Sequence, residues 1–161
     1  MTELRGALTA PGSRFAIVVS KFNPEITTGL LAGAREVLAE AQVSPVDVTV
    51  VHVPGAFEIP LTAMRLAETG RYDAVICLGC LIKGDTMHFE YIADATSTGI
   101  MEASAVTGVP ITFGVLTTLT EEQAMARAAR GPENKGREAA RAAVEMATLL
   151  PQISDTGEAS S

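Results

Sequence analysis

The run Ala74-Val75-Ile76-Cys77-Leu78-Gly79-Cys80-Leu81-Ile82 passes directly into Lys83-Gly84-Asp85-Thr86-Met87-His88-Phe89, and the reading of this stretch decides the fold. A short, unbroken apolar run closed by a glycine turn reads as a strand buried on both faces. The residues after the turn take up a helical period, so a strand end, a turn and a helix start meet at one point. A helix start leaves its first N–H groups without intrahelical partners and carries partial positive charge, which makes it a cradle for an anion. His88 then stands as a proton carrier within reach of that anion. Glycine followed by Asp-Thr is also an ordinary helix cap, so the weight of this junction depends on what lines up with it elsewhere.

Outward from this strand, the same alternation recurs. Phe15-Ala16-Ile17-Val18-Val19-Ser20 reads as a buried strand, and Thr27 to Ala41, with Leu30, Leu31, Ala34, Val37, Leu38 and Ala41 on one side, reads as a helix. Asp47 to Val53 is a second β-branched run. After Pro54-Gly55 comes a helical stretch, Phe57 to Glu68, whose Pro60 is tolerable only near its first turn. A third helix follows over Phe89 to Thr107, then a strand over Ile111 to Leu116, and two closing helices over Glu121 to Arg130 and Lys135 to Leu150. Strands alternating with helices at this spacing call for a three-layer α/β/α domain, with a four-stranded, mainly parallel, flavodoxin-like sheet and right-handed crossovers. Leu4, Ala7 and Leu8 in the first ten residues can add an edge strand to this sheet or to a neighbour's. One domain is expected over residues 1–150. The polar, aperiodic tail 151–161 is expected to be disordered.

In open α/β sheets ligands bind beyond the carboxyl ends of the strands. The segments there are Lys21-Phe22-Asn23-Pro24, Pro54-Gly55-Ala56-Phe57-Glu58, Lys83 to His88, and Leu116-Thr117-Thr118. One mouth can therefore collect Phe22, Glu58 and His88.

Composition narrows the partners. Twelve basic and nineteen acidic residues leave a net charge of −7, which disfavours nucleic acid as the main partner and makes any phosphate site a local one. Hydrophobic residues make up 47% of the 161 residues, and the mean hydropathy is +0.26. No apolar stretch reaches the length of a bilayer span, and Met1-Thr2-Glu3-Leu4-Arg5 lacks a signal peptide's apolar segment. The surplus apolar surface is therefore expected in subunit contacts, not in a membrane. Cys77 and Cys80 have the spacing of a redox pair or half a zinc site, but they lie inside an apolar strand and no second pair completes a metal site. They read as buried structural thiols in a reducing, cytoplasmic compartment.

Five segments in order carry a family resemblance: Phe15 to Thr27, Pro54-Gly55-Ala56-Phe57-Glu58-Ile59-Pro60, Ile82 to Phe89, Pro110 to Thr117, and Asn134-Lys135-Gly136. Together they resemble the ordered motifs of the lumazine synthases, over about residues 4–150. The resemblance implies condensation of 5-amino-6-(D-ribitylamino)uracil with 3,4-dihydroxy-2-butanone 4-phosphate to give 6,7-dimethyl-8-ribityllumazine, phosphate and water, without a metal or organic cofactor. It implies that Phe22 stacks on the pyrimidine, since an aromatic face suits a π-system. Glu58 would accept from ribityl hydroxyls, with the backbone at Ala56 and Phe57 fixing the ring, and Cys80, Leu81 and Ile82 would wall the pyrimidine. Asp85 and Thr86 would cradle phosphate through their backbone N–H groups, the Asp85 carboxylate pointing away. Arg127 and Lys135 would bind the phosphate, a task that suits the planar guanidinium fork. His88 would transfer protons, while His52 reads as a sheet or interface residue. Phe113, Arg127 and Lys135 would come from a neighbouring subunit, so the implied partner is another copy: a pentamer, or an icosahedral shell of about sixty subunits. Riboflavin synthase is a further implied partner.

Read without that resemblance, Phe22 is equally a packed loop aromatic, Glu58 a carboxylate favouring its own helix start, and Arg127 a solvated helix residue. Two departures from the family pattern stand out: Met87, where Pro or Thr is usual before the histidine, and Ala129-Arg130-Gly131-Pro132-Glu133 between the last two helices. The rival readings are a non-catalytic flavin- or lumazine-binding protein and a shell protein with a vestigial site. A metal-dependent receiver is disfavoured because Ser20-Lys21-Phe22-Asn23 lacks the acidic cluster a cation would need.

Overall fold

The computed structural model describes residues 1–159. Its elements run β1 (Phe15–Ser20), α1 (Pro24–Glu40), β2 (Val48–Val53), a short 3₁₀ turn (Ala56–Glu58), α2 (Ile59–Glu68), β3 (Ala74–Ile82), α3 (His88–Thr107), β4 (Ile111–Thr118), α4 (Glu121–Ala128) and α5 (Lys135–Ala159). The strands form one sheet in the order β2-β1-β3-β4. Every pairing is parallel, with Phe15 opposite both Val48 and Ala74, and Val75 opposite Ile111. The sheet is thus wholly parallel, a stronger statement than the mainly parallel sheet expected.

Alternate residues of the central strands face opposite layers, as the two-residue strand period requires. Phe15, Ile17 and Val19 of β1 and Ala74, Ile76 and Leu78 of β3 pack on one face against Leu30, Ala34 and Leu38 of α1 and Ala140 and Val144 of α5. Ala16 and Val18 of β1, with Val75 and Cys77 of β3, pack on the other face against Ile59 and Ala63 of α2 and Ile100 of α3. Because both faces are covered, the strands read as continuous apolar runs and not as alternating ones.

Boundaries differ from expectation where a local rule intervened. Helix α1 starts at Pro24, three residues early, because proline's fixed φ suits the first helical turn. Strand β4 runs to Thr118, two residues past the expected end, since Thr117 and Thr118 pair with Leu81 and Ile82. Helix α5 does not stop at Leu150 but continues through Pro151 to Ala159. Beyond the proline, the Gln152 Nε2 donates to the Arg5 carbonyl at 2.7 Å and to the Thr148 carbonyl at 3.0 Å, tying the helix to the N-terminal segment. Residues 160–161 of the expected tail lie outside the described residues. The N-terminal segment adds no strand to this sheet; it runs along α5, where the Ala7 N–H donates to Thr148 Oγ1 at 2.7 Å.

Candidate active site

The strand order creates a switch point. From β1 the chain moves outward to β2, then crosses back over β1 to β3, so the connections leaving β1 and β3 diverge and open a crevice at their carboxyl ends. Asn23 spans it: its Nδ2 donates to the Cys80 carbonyl at 3.1 Å. Asn23 holds a left-handed backbone (φ 57°, ψ 59°) immediately before Pro24, a conformation that asparagine tolerates better than most residues.

A cavity of about 520 Å³ occupies this crevice, lined among others by Phe22, Asn23, Ala56, Phe57, Glu58, Cys80, Leu81, Ile82, Thr86 and His88. The structure thus brings together the sequence-derived candidates from three separate strand ends. Phe22 and Phe57 are 72% and 64% exposed, so their ring faces are available to a flat ligand. Cys80 is buried, as is Cys77 behind it, and neither is in a disulfide. Burial, reinforced by the Glu121 charge, pushes the Cys80 thiol up to about 11, which keeps it neutral and unreactive near pH 7. Cys77 is raised further by burial alone.

Glu58 does what an isolated reading of the sequence allowed: its Oε2 accepts from the Gly55 N–H at 3.0 Å, closing the 3₁₀ turn that places the carboxylate at the cavity. His88 is the first residue of α3 and is exposed. Its N–H donates to Thr86 Oγ1 at 3.4 Å, and Lys83 Nζ meets Glu90 Oε1 at 3.3 Å, so the turn from Lys83 to Glu90 is braced at both ends. Asp85 does not line the cavity. His52 is exposed on β2, an edge strand of the sheet.

Phe113, Arg127 and Lys135 are elsewhere. They line a second cavity of about 330 Å³ along β4, with Leu116 to Leu119, Gln123 and Glu138, and no residue lines both cavities. Phe113 is 46% exposed on the opposite edge strand from β2. Arg127 Nη1 donates to the Gln123 carbonyl at 3.2 Å, and Lys135 Nζ pairs with Glu138 Oε2 at 2.7 Å. Both cations therefore lie side by side, each partnered within its own helix.

Several cavity residues had no assigned role: Asn23, Pro54, Gly55, Gly84, Phe89 and Ile92. The Asn-Pro pair after a strand was the available signal for the first, since it marks a turn that must take a special backbone conformation. The apolar pair Phe89 and Ile92 had none, because at helical spacing they look like core. Among the described residues no group of three His, Cys, Asp or Glu side chains is placed to hold a metal ion, and no helix is long and apolar enough to cross a membrane.

Comparison with known proteins agrees with this geometry. Residues 12–151 match the family described as 6,7-dimethyl-8-ribityllumazine synthase. The chain is 51% identical to the 6,7-dimethyl-8-ribityllumazine synthase of Salinibacter ruber over 94% of its own length and 97% of the relative's. It is 55% identical to 6,7-dimethyl-8-ribityllumazine synthase 1 of Caulobacter vibrioides over 87% of its length and 92% of the relative's. With a parallel sheet of this order, a crevice at its switch point and this extent of identity, the chain belongs to the 6,7-dimethyl-8-ribityllumazine synthase family.

Proposed function

We propose that the chain condenses 5-amino-6-(D-ribitylamino)uracil with 3,4-dihydroxy-2-butanone 4-phosphate, the transferase step that forms 6,7-dimethyl-8-ribityllumazine in riboflavin biosynthesis, at a site shared by two copies. The observation that carries the shared site is the division of the candidate residues between cavities with no common lining residue. The crevice has aromatic faces, a carboxylate and an imidazole but, among its lining residues, no arginine or lysine. The β4-edge cavity has the two cations and an exposed aromatic. Joined across a subunit contact, the two supply what each lacks.

In the joined site Phe22 stacks on the pyrimidine, and Phe113 of the adjacent copy covers it. Glu58 accepts from ribityl hydroxyls, while Ala56, Phe57, Cys80, Leu81 and Ile82 set the ring's depth. The phosphate rests on the N–H groups of Asp85 and Thr86 in the turn that leads into α3, facing Arg127 and Lys135 from the neighbour. The pyrimidine's amine attacks the ketone carbonyl and water leaves as the imine forms. The C3 proton of that imine is then lost as the C4–O bond breaks and phosphate departs. The resulting enol tautomerises to a carbonyl at C3, and the ribitylamino nitrogen attacks that carbonyl to close the ring with release of a second water. His88 shuttles the protons. Acid–base help of this kind is typically worth about 10²–10⁴-fold, and an aromatic amine meeting a ketone is already reactive, so holding the substrates together carries much of the rate.

A head-to-tail contact of this kind repeats into a closed ring, which the family resemblance makes a pentamer, with a closed shell of pentamers as the larger form. Residues 1–150 act as one catalytic domain, the two thiols fit a reducing cytoplasm, and riboflavin synthase is the candidate partner for the product. Mixing the purified chain with both substrates and following lumazine fluorescence tests the activity. Light scattering behind size-exclusion chromatography tests the assembly, and a monomer that turns over at full rate contradicts the shared site.

A further inference from the structure

Asn134 is 2% exposed and polar, in a place where a buried amide must find its partners within the protein. It finds four. Its Nδ2 donates to the carbonyls of Ala128 (2.9 Å), Ala129 (3.1 Å) and Gly29 (3.1 Å), and its Oδ1 accepts from the Arg137 N–H at 3.1 Å. The Ala128 and Ala129 carbonyls end α4, where no helical donor reaches them. The Arg137 N–H belongs to the first turn of α5, where none accepts it. One side chain therefore finishes one helix, starts the next and fastens both to α1.

Glycines make the approach close. A Cβ at Gly29 would overlap the Ala128 carbonyl, one at Gly33 would overlap Asn134 Oδ1, and one at Gly136 would overlap the Leu30 carbonyl. Between α4 and α5 the chain has no regular structure and passes through Gly131 at φ 133° and Pro132. The two cations, Arg127 beside Ala128 and Lys135 beside Asn134, take their side-chain partners from their own helices. Their mutual placement must come from the backbone, and Asn134 is what holds that backbone.

We infer that Asn134 is a positioning residue for the phosphate subsite, its amide setting where Arg127 stands relative to Lys135. This rests on the reading of those cations as phosphate ligands. Misplacing a binding group by about an ångström can cost as much as roughly 100-fold, and a lost carbonyl tie acts through KM if both ground and transition states feel it.

The test is steady-state kinetics on the assembled enzyme with Asn134→Asp, which keeps the acceptor for Arg137 and loses the donor, and with Asn134→Ser. The expected result is a KM for the butanone phosphate raised by roughly tenfold or more, with the KM for the pyrimidine and kcat within about twofold. In an Arg127→Ala background the Asn134 substitution should add little further, because both act on one contact. Val144→Ala, buried in the same helix, controls for general loosening of α5 and should leave the KM ratio unchanged. If Arg127→Ala leaves the KM for the butanone phosphate unchanged, the cation reading fails. If Arg127→Ala raises it while both Asn134 variants do not, or if the effects are fully additive, only the present inference is overturned. Loss of folding in both Asn134 variants also overturns it, since Asn134 would then serve the fold alone.

Discussion

Asn23 Nδ2 and the Cys80 carbonyl, 3.1 Å apart, join the chain leaving β1 to the carboxyl end of β3 across the switch point of the sheet. The bond fixes the loop carrying Phe22 against the strand whose end walls the cavity, so the exposed Phe22 ring and the Cys80–Ile82 wall keep a constant spacing. Asn23 also holds a left-handed backbone, which separates two effects.

Asn23→Gly removes the side-chain tie but suits the backbone, and a hydrogen bond of this kind is worth about 1 kcal/mol. Asn23→Ala removes the tie and places a Cβ in a conformation that costs a further ~1–2 kcal/mol. Alanine is thus expected to lower the thermal midpoint more than glycine, while both raise the KM for the pyrimidine. Equal midpoints would remove the backbone argument.

His88→Ala is expected to lower kcat with little change in either KM, by somewhere in the about 10²–10⁴-fold range of general acid–base help or less, given the reactivity of the amine. Arg127→Ala is expected to raise mainly the KM for the butanone phosphate. Equal loss of substrate binding in the two variants would contradict this division of labour.

The Cys80 thiol, raised from its ordinary 9.0 to about 11, stays protonated in the folded protein at pH values where an unfolded chain would release the proton. The folded state then binds more protons, so this contribution to stability is complete below about pH 9 and lost as pH rises through about 11. The midpoint of wild-type unfolding should therefore fall more steeply across that interval than the midpoint of Cys80→Ala, with Cys77 present in both. At pH 8 the native thiols should react with a disulfide reagent far more slowly than in denaturant; rapid labelling of Cys80 would show that the crevice does not bury it.

How far the sequence foretold this molecule depends on the range of the interaction. The strands were legible because Phe15–Ser20 and Ala74–Ile82 are apolar on both faces, which only a covered parallel sheet satisfies. Phe22, Glu58 and His88 could be grouped because each follows a strand end. The order β2-β1-β3-β4 is that of the flavodoxin-like sheet expected, but periodicity alone does not fix it, since each crossover could have packed on either side. Helix α5 runs past Leu150 into a polar stretch without a helical period, so its length was not legible; the Gln152 tie to Arg5 lies 147 residues away in sequence. Asn134 was visible only as part of a motif, for its partner Gly29 is 105 positions distant.

The central claim is that one copy's His88 works beside another copy's Arg127. Co-assembling His88→Ala and Arg127→Ala chains, denatured together and refolded at equal amounts, tests it most directly at a butanone phosphate concentration below the wild-type KM. Random mixing gives about one quarter of the junctions both an intact imidazole and an intact guanidinium, so the mixture should exceed the mean of the two separate variants and approach about a quarter of wild-type activity. A mixture that merely equals that mean would place both groups in one chain's site and contradict the account.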